Sequence, residues 1–433
     1  MLREDIYNHS ESSRSVSILL LGIFLACSFI GLTQKDYAKS MLDSLCSPRY
    51  DGRGYVNNGD IRAADFLARE FQKIGVQPFD ERGYFQEYDL PINTFPYSIH
   101  LQLDEDTLVP GVDFLVDPHS GSAQGEFEII EVNSDNFFSD FGGQLNLENQ
   151  KSGQFIYALN FTDISDREKK SKLKQLAYAG MRYFPMIWVE KSKQFHSVRA
   201  PALNYPMFTI DSASYVSAKK ANIKVNNKYI PKYRSKNVIG LIPGKKKKKY
   251  IVFSAHYDHL GRMGTETYFP GANDNASGVA MLLSLAKHYV QNPPKYSIVF
   301  CLFSGEEAGL HGSRYFVSNP FFKLKKVKFV LNIDIMGGAS DGITVVNATE
   351  HQKAYEELVQ INEENNLLAK VKRRGPTQNS DHYYFTQSGV PAFFIYSLGA
   401  VKNYHDIYDT AENTPLNKFD EVQKLLIEFV KRR

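Results

Sequence analysis

Cysteine is nearly missing from this chain of 433 residues, with three in all, Cys27, Cys46 and Cys301. That excludes a small domain stapled by disulfides. Cys301 lies in the apolar stretch YSIVFCL, where a thiol behaves as a small hydrophobe. Strong net charge is missing too: the formal value is +3, too small for an electrostatic footprint on nucleic acid. The one compact basic run, residues 245–249, follows Pro243-Gly244 and precedes YIVFSAH, which reads as a solvated hairpin turn. Long apolar stretches are absent except at residues 15–33, SVSILLLGIFLACSFIGLT. That run is short for a spanning helix. Arg3 and Arg14 precede it and polar QKDYAKS follows, the order of a secretory signal. Residues 1–34 are therefore expected to be a cleaved signal or a retained membrane anchor, with the remainder exported to the periplasm or the extracellular space. Glu4, Asp5 and Glu11 fit a signal poorly, and Phe24-Leu25-Ala26 is a poor lipoprotein site before Cys27.

What is present is a globular profile. Apolar residues make up 43% and charged residues 23%, a balance that builds cores and excludes disorder. The length allows two or three domains. The stretch IRAADFLAREFQKI has apolar residues at helical spacing, with Asn58-Gly59-Asp60 as its start. Residues 96–228 change texture: SIHLQL, GEFEIIEV, GQFIYAL, YFPMIWVE and YPMFTI read as short strands, and 165–178 as one lysine-rich helix. The single tryptophan, Trp188, falls in this stretch and reads as core. From about residue 235, NVIGLI, YIVFSA, YSIVFCLF, KFVLNIDI, GITVVN and PAFFIYS are apolar with little alternation. Helical runs at 277–290 and 352–366 separate several of them. Buried strands alternating with helices predict a largely parallel α/β sheet covered on both faces. The β-rich stretch 96–228 then reads as an insertion in a catalytic domain formed by 35–95 and 229–433.

Five places in the second half carry histidine or carboxylate just beyond a predicted strand or at a helix start. His256 and Asp258 follow YIVFSA; spaced by two, they would share a strand face. Asp274 lies in PGANDNASG before a helix, Glu306 and Glu307 follow YSIVFCLFSG, Asp334 ends KFVLNID, and His405 follows PAFFIYSLG and a short loop. In open α/β sheets, ligands bind beyond the carboxyl ends of the strands, so all five should meet at one edge. Five carboxylates cannot all stay ionised in a low-dielectric cleft unless they take up protons or cations. Two divalent metals supply +4 against −3 from three ligating carboxylates. Nitrogen and oxygen donors without thiolate suit zinc, with manganese or cobalt as substitutes. Each piece alone is ordinary; the order and the placement together are not.

AHYDHLG, PGANDNASG, FSGEEAG, NIDIMG and YHDIYDT, in that order, resemble the di-zinc exopeptidases of peptidase family 28, the bacterial aminopeptidase type. The resemblance covers roughly 36–90 and 235–433. It implies a phosphorylase/hydrolase-like three-layer α/β/α fold with a mixed, mostly parallel sheet. It implies two Zn²⁺, one held by His256 and Asp334, the other by Glu307 and His405, with Asp274 bridging. Asp258 would orient a ligand histidine, Glu306 would be the general base for a hydroxide shared by the metals, and Tyr404 would stabilise the oxyanion. The implied substrate is a peptide with a free N-terminus, which loses one residue. Amino-, carboxy- and dipeptidase action stay open at this point. So does a glutaminyl-peptide cyclase-like activity, although such cyclases carry Trp where Tyr404 stands, and so does a non-catalytic receptor-like ectodomain. Asn273 departs from the Asp-Asp pair of many members. Asp381 and His382, in SDHYYF, look like a recurring segment without an assigned role. More faintly, LKQLAYAGMRYFPMIWVE with YPMFTID resembles a protease-associated domain, which would make 96–228 an insertion that shapes substrate access.

Overall fold

The computed structural model describes residues 34–139, 155–191, 193–399 and 401–433. The signal or anchor segment lies outside the described residues. Among the described residues no helix is long and apolar enough to cross a membrane.

The larger of two main sheets has nine strands. Its centre is four parallel strands in the spatial order Tyr296–Phe303, Lys246–His256, Val327–Asp334 and Ala392–Leu398. Antiparallel neighbours flank them, Lys228–Ile242 on one side and Gly342–Val346 on the other, so the sheet is mixed. The lack of alternation in these strands has a direct cause. Ile251, Phe253 and Ala255 enter one core while Val252 enters the other; Ile298, Phe300 and Leu302 separate from Val299, Cys301 and Phe303 in the same way. Side chains at period two thus feed two apolar layers, so most buried positions are apolar; Ser254 and Asn332 are exceptions that hydrogen-bond each other. Helices Gln34–Leu45, Gly59–Ile74, Ser277–Gln291 and Phe419–Lys431 cover the first face. Phe316 of His311–Ser318 and Phe385 of His382–Gln387 cover the second. The result is three layers, α/β/α.

Residues 245–249 do not form a hairpin turn. Lys246 already pairs with Tyr296, and the strand Tyr296–Phe303 lies between Lys228–Ile242 and Lys246–His256. The lysines are the exposed start of a strand that becomes buried at Ile251; they are solvated, as expected, but join no hairpin.

The strands from His100–Leu103 to Lys220–Val225 form a second sheet of eight. Helix Arg167–Gly180 packs on it; the Asp166 side chain caps the helix by accepting from the Lys169 N–H at 2.9 Å. Leu173, Ala177 and Trp188 share the core beneath this helix. The opposite face of the sheet, through Ile187 and Phe208, packs on Leu260, Met263 and Phe269 from the parallel-sheet unit. The two sheets are therefore joined by an apolar contact right beside the loop that follows His256.

Candidate metal centre

Chain direction alone brings the first donors together. His256 and Asp334 are the last residues of adjacent parallel strands. Glu306 and Glu307 follow the strand on the other side of Lys246–His256 through Ser304-Gly305. Gly305 has φ +70°, and a Cβ there would lie 2.8 Å from the Tyr88 hydroxyl, so only glycine makes this turn. Asp274 sits in the turn before helix Ser277–Gln291, and His405 in the loop beyond strand Ala392–Leu398. His256, Asp274, Glu307 and Asp334 are buried.

The distances among these atoms are informative. His256 Nε2 lies 3.3 Å from Asp274 Oδ1 and 3.4 Å from Asp334 Oδ1. His405 Nε2 lies 3.1 Å from Asp274 Oδ2 and 3.2 Å from Glu307 Oε2. Donors about 2.0–2.1 Å from a tetrahedral zinc are separated by roughly 3.3 Å. Both triplets have edges of that length, and Asp274 contributes a different oxygen to each. Asp334 Oδ1 is buried with no hydrogen-bond partner among the described residues. The donor set therefore fits two divalent cations that share Asp274.

His259 also lies close enough to form a group with Asp274 and Glu307. Its Nδ1 is 2.8 Å from Glu307 Oε1, a hydrogen-bond length shorter than a ligand edge. His259 thus occupies the Glu307 oxygen that does not face His405. Ser380 does the same for Asp334, with its Oγ 3.3 Å from Oδ2. Asp409 accepts the backbone N–H groups of Asn273 and Asp274 at 2.8 and 3.0 Å. The Asn273 side chain turns away from the donors and accepts from the Gly337 N–H at 2.9 Å, so its missing charge is a backbone matter.

Asp258 differs from the sequence expectation in one respect. It lies beyond the strand end, and its backbone carbonyl, at 3.1 Å, faces His256 Nδ1; its carboxylate is 3.7 Å away. The carboxylate instead accepts from the Tyr55 hydroxyl at 2.8 Å and from the N–H groups of Glu306 and Glu307 at 3.3 and 3.4 Å. Tyr404 stacks on His405, with ring centroids 4.0 Å apart, and is 40% exposed. Asp381 is fully buried at the start of helix His382–Gln387 but makes no capping bond there. His382 stacks on Phe394.

Protein charges alone balance this cluster poorly. Burial pushes Asp258 and Asp409 up to about 7 and Asp381 up to about 6. Burial also raises Glu306 well above the carboxylate range, and Glu307, Asp381 and Asp334 add to it against His256. Burial works against a charged His405, but Glu307 and Asp274 outweigh it and lift this histidine to about 11. His256 is raised in the same way by Asp334 and Glu306. Both histidines are thus raised by the same carboxylates that cations would neutralise.

Tyr55, His259, Ser380 and Asp409 were not singled out from the sequence. His259, Asp409 and Ser380 lie inside the motifs AHYDHLG, YHDIYDT and SDHYYF, so motif membership was the available signal. Tyr55 meets its partner only through the fold.

Residues 237–430 match the model described as Peptidase family M28. The chain is 38% identical over 107 residues to a probable zinc metalloprotease of Pyricularia oryzae, covering 24% of this chain and 21% of that one. It is 28% identical over 215 residues to aminopeptidase YwaD of Bacillus subtilis, covering 47% of this chain and 44% of that one. The chain thus spans less than half the length of these curated relatives. In structure it resembles BSAP, a zinc aminopeptidase from Bacillus subtilis, with a TM-score of 0.67 at 18% identity over 93% of this chain and 95% of that one.

Proposed function

Residues 237–430 belong to peptidase family M28, and from that premise we propose that this protein is a zinc-dependent aminopeptidase. The observation that carries the reading is Asp274, whose two oxygens each stand at a zinc-ligand spacing from a different histidine, paired with a different carboxylate. His256 and Asp334 would hold one zinc, Glu307 and His405 the other, and Asp274 both. When bound, such a pair polarises the scissile carbonyl and makes water acidic enough to attack near neutral pH.

The chain supplies the rest. Glu306, partly buried beside these donors, takes the proton of the attacking water and passes it to the leaving amine. Asp258 holds the backbone of Glu306 and Glu307 through two N–H groups, and Tyr55 holds Asp258. Tyr404, against His405 and half open to solvent, is placed to meet the developing oxyanion. Among the described residues the donor carboxylates pair with histidines and with no lysine or arginine. The likeness to aminopeptidase YwaD of Bacillus subtilis supports amino- over carboxypeptidase action. The second sheet, 96–228 in sequence, serves as a protease-associated-like insertion beside the site. The N-terminal run would direct export, as a cleaved signal or as an anchor.

The test is hydrolysis of aminoacyl-4-nitroanilides by the zinc-loaded chain. Turnover that stops with chelator, returns with zinc and is absent for N-acetylated substrates supports the reading. Cleavage of blocked peptides, or cyclisation of N-terminal glutamine without hydrolysis, overturns it.

A further inference from the structure

The contacts that set His405 in place come from the second sheet unit, and they reach only one half of the cluster. Residues 193–199 run without regular structure between strands Met186–Glu190 and Met207–Asp211. His405 has φ +53°, a left-handed conformation unfavourable for a non-glycine residue, which persists only where its surroundings over-determine it. Here His196 does so twice. Its N–H donates to the His405 carbonyl at 3.0 Å, and its carbonyl, at 2.9 Å, faces His405 Nδ1. The second contact places an imidazole proton on Nδ1 and leaves Nε2, which faces Asp274 and Glu307, to donate its lone pair to a cation held with them. His196 is itself fixed, 3% exposed and stacked on Phe269 with centroids 4.4 Å apart.

Three further ties run the same way. Arg199 Nη1 donates to the backbone carbonyl of Glu307. Lys193 pairs with Asp406 and donates to the Lys402 carbonyl at 3.0 Å. Phe195 packs edge-on against Tyr404. Among the described residues no hydrogen bond of 193–199 reaches His256, Asp258 or Asp334. Those take their partners from the parallel-sheet unit: the Asp258 carbonyl for His256, Tyr55 for Asp258, and Ser380 for Asp334.

We propose that residues 193–199 are a strap by which the second sheet unit sets one cation position, that of His405 and Glu307, while the His256–Asp334 position is independent of it. This rests on the two-cation reading above.

The experiment is Co²⁺ titration of the metal-depleted full chain, followed by calorimetry and visible absorption, for wild type, Arg199→Met and the Lys193→Ala/Phe195→Ala pair. Trp188 fluorescence reports whether the second unit stays folded, since this single tryptophan is 1% exposed in its core. The expected result is two sites in the wild type, with one weakened about ten- to a hundredfold in the strap variants and the other unchanged. His256→Ala should weaken the opposite site, and its cobalt spectrum should differ from that of the strap variants. Should Arg199→Met fail to fold, the Lys193/Phe195 pair, both exposed, still decides the matter. Equal weakening of both sites, or of neither, overturns the strap. A wild type that takes up fewer than two cations overturns the two-cation reading, a failure visible before any variant is made.

Discussion

Glu306 and Glu307 are neighbours with different surroundings, and that difference predicts different phenotypes. Both Glu307 oxygens are engaged, Oε1 by His259 and Oε2 beside His405. Burial raises its proton affinity, but His405 and His259 outweigh that and bring Glu307 down to about 2, so it stays ionised. Glu306 has no place in either donor triplet and is raised well above its usual range. Glu306→Gln keeps size and polarity and removes the base. We expect kcat to fall about a thousandfold, within the range for loss of a general acid–base group, with zinc content per chain unchanged by elemental analysis. Loss of zinc would instead make Glu306 a ligand. A second prediction concerns His256 and His405. Both are raised by their carboxylate partners, His405 to about 11, so a cation must compete with protons for these donors. Affinity should therefore rise with pH, about tenfold per unit for each proton released. Cation titrations at pH 6 and 8, in buffers of different ionisation enthalpy, read both the trend and the proton count.

At the scale of elements, the loop carrying Asp274 depends on a residue more than 200 positions earlier. Arg53 is fully buried and spends its donors on carbonyls: Tyr257 at 2.8 Å, Pro270 and Gly271 at 2.6 Å each, and Leu45 at 3.1 Å. Leu45 ends helix Gln34–Leu45, where the helix dipole is negative. One guanidinium thus ties a helix terminus to both segments that lead into the site. Arg53→Met keeps the stem and leaves those carbonyls unsatisfied in a dry interior. We expect a stability loss on the order of 3 kcal/mol, as for a broken buried charge network, measured by denaturant unfolding. Cation affinity should fall in the chain that remains folded, because Asp274 loses its support. An unchanged unfolding midpoint would show that water replaces the guanidinium.

For the whole molecule, donors spread from His256 to His405 belong to five segments that only the fold assembles. Cations that bind the folded chain and not the unfolded one stabilise it by RT ln(1 + [L]/Kd), about 4 kcal/mol at a free concentration a thousandfold above Kd. Scanning calorimetry should show a Tm that drops when zinc is removed by chelator and recovers on its return. A Tm insensitive to chelator would mean that the donors hold no cation in the folded protein.

The order of donors and the layers could be read from sequence, because buried parallel strands carry an unbroken apolar signature and because chain direction sends their carboxyl ends to one edge; the mixed character of the sheet followed only from the resemblance to peptidase family 28. The helix starts at Asn58-Gly59-Asp60 and near Asp166 were legible for the same local reason, as was the core position of Trp188. The separation of Lys228–Ile242 from Lys246–His256 by a strand some fifty residues later was not legible, since no local preference encodes which strand lies beside which. Nor could sequence bring His259 to the second oxygen of Glu307, turn the Asp258 carbonyl rather than its carboxylate toward His256, or bring His196 and Arg199 across from the other sheet. Residue type and spacing decide what a segment buries and where it turns; which side chains then meet depends on packing between segments far apart in the chain, and only the tertiary structure settles it.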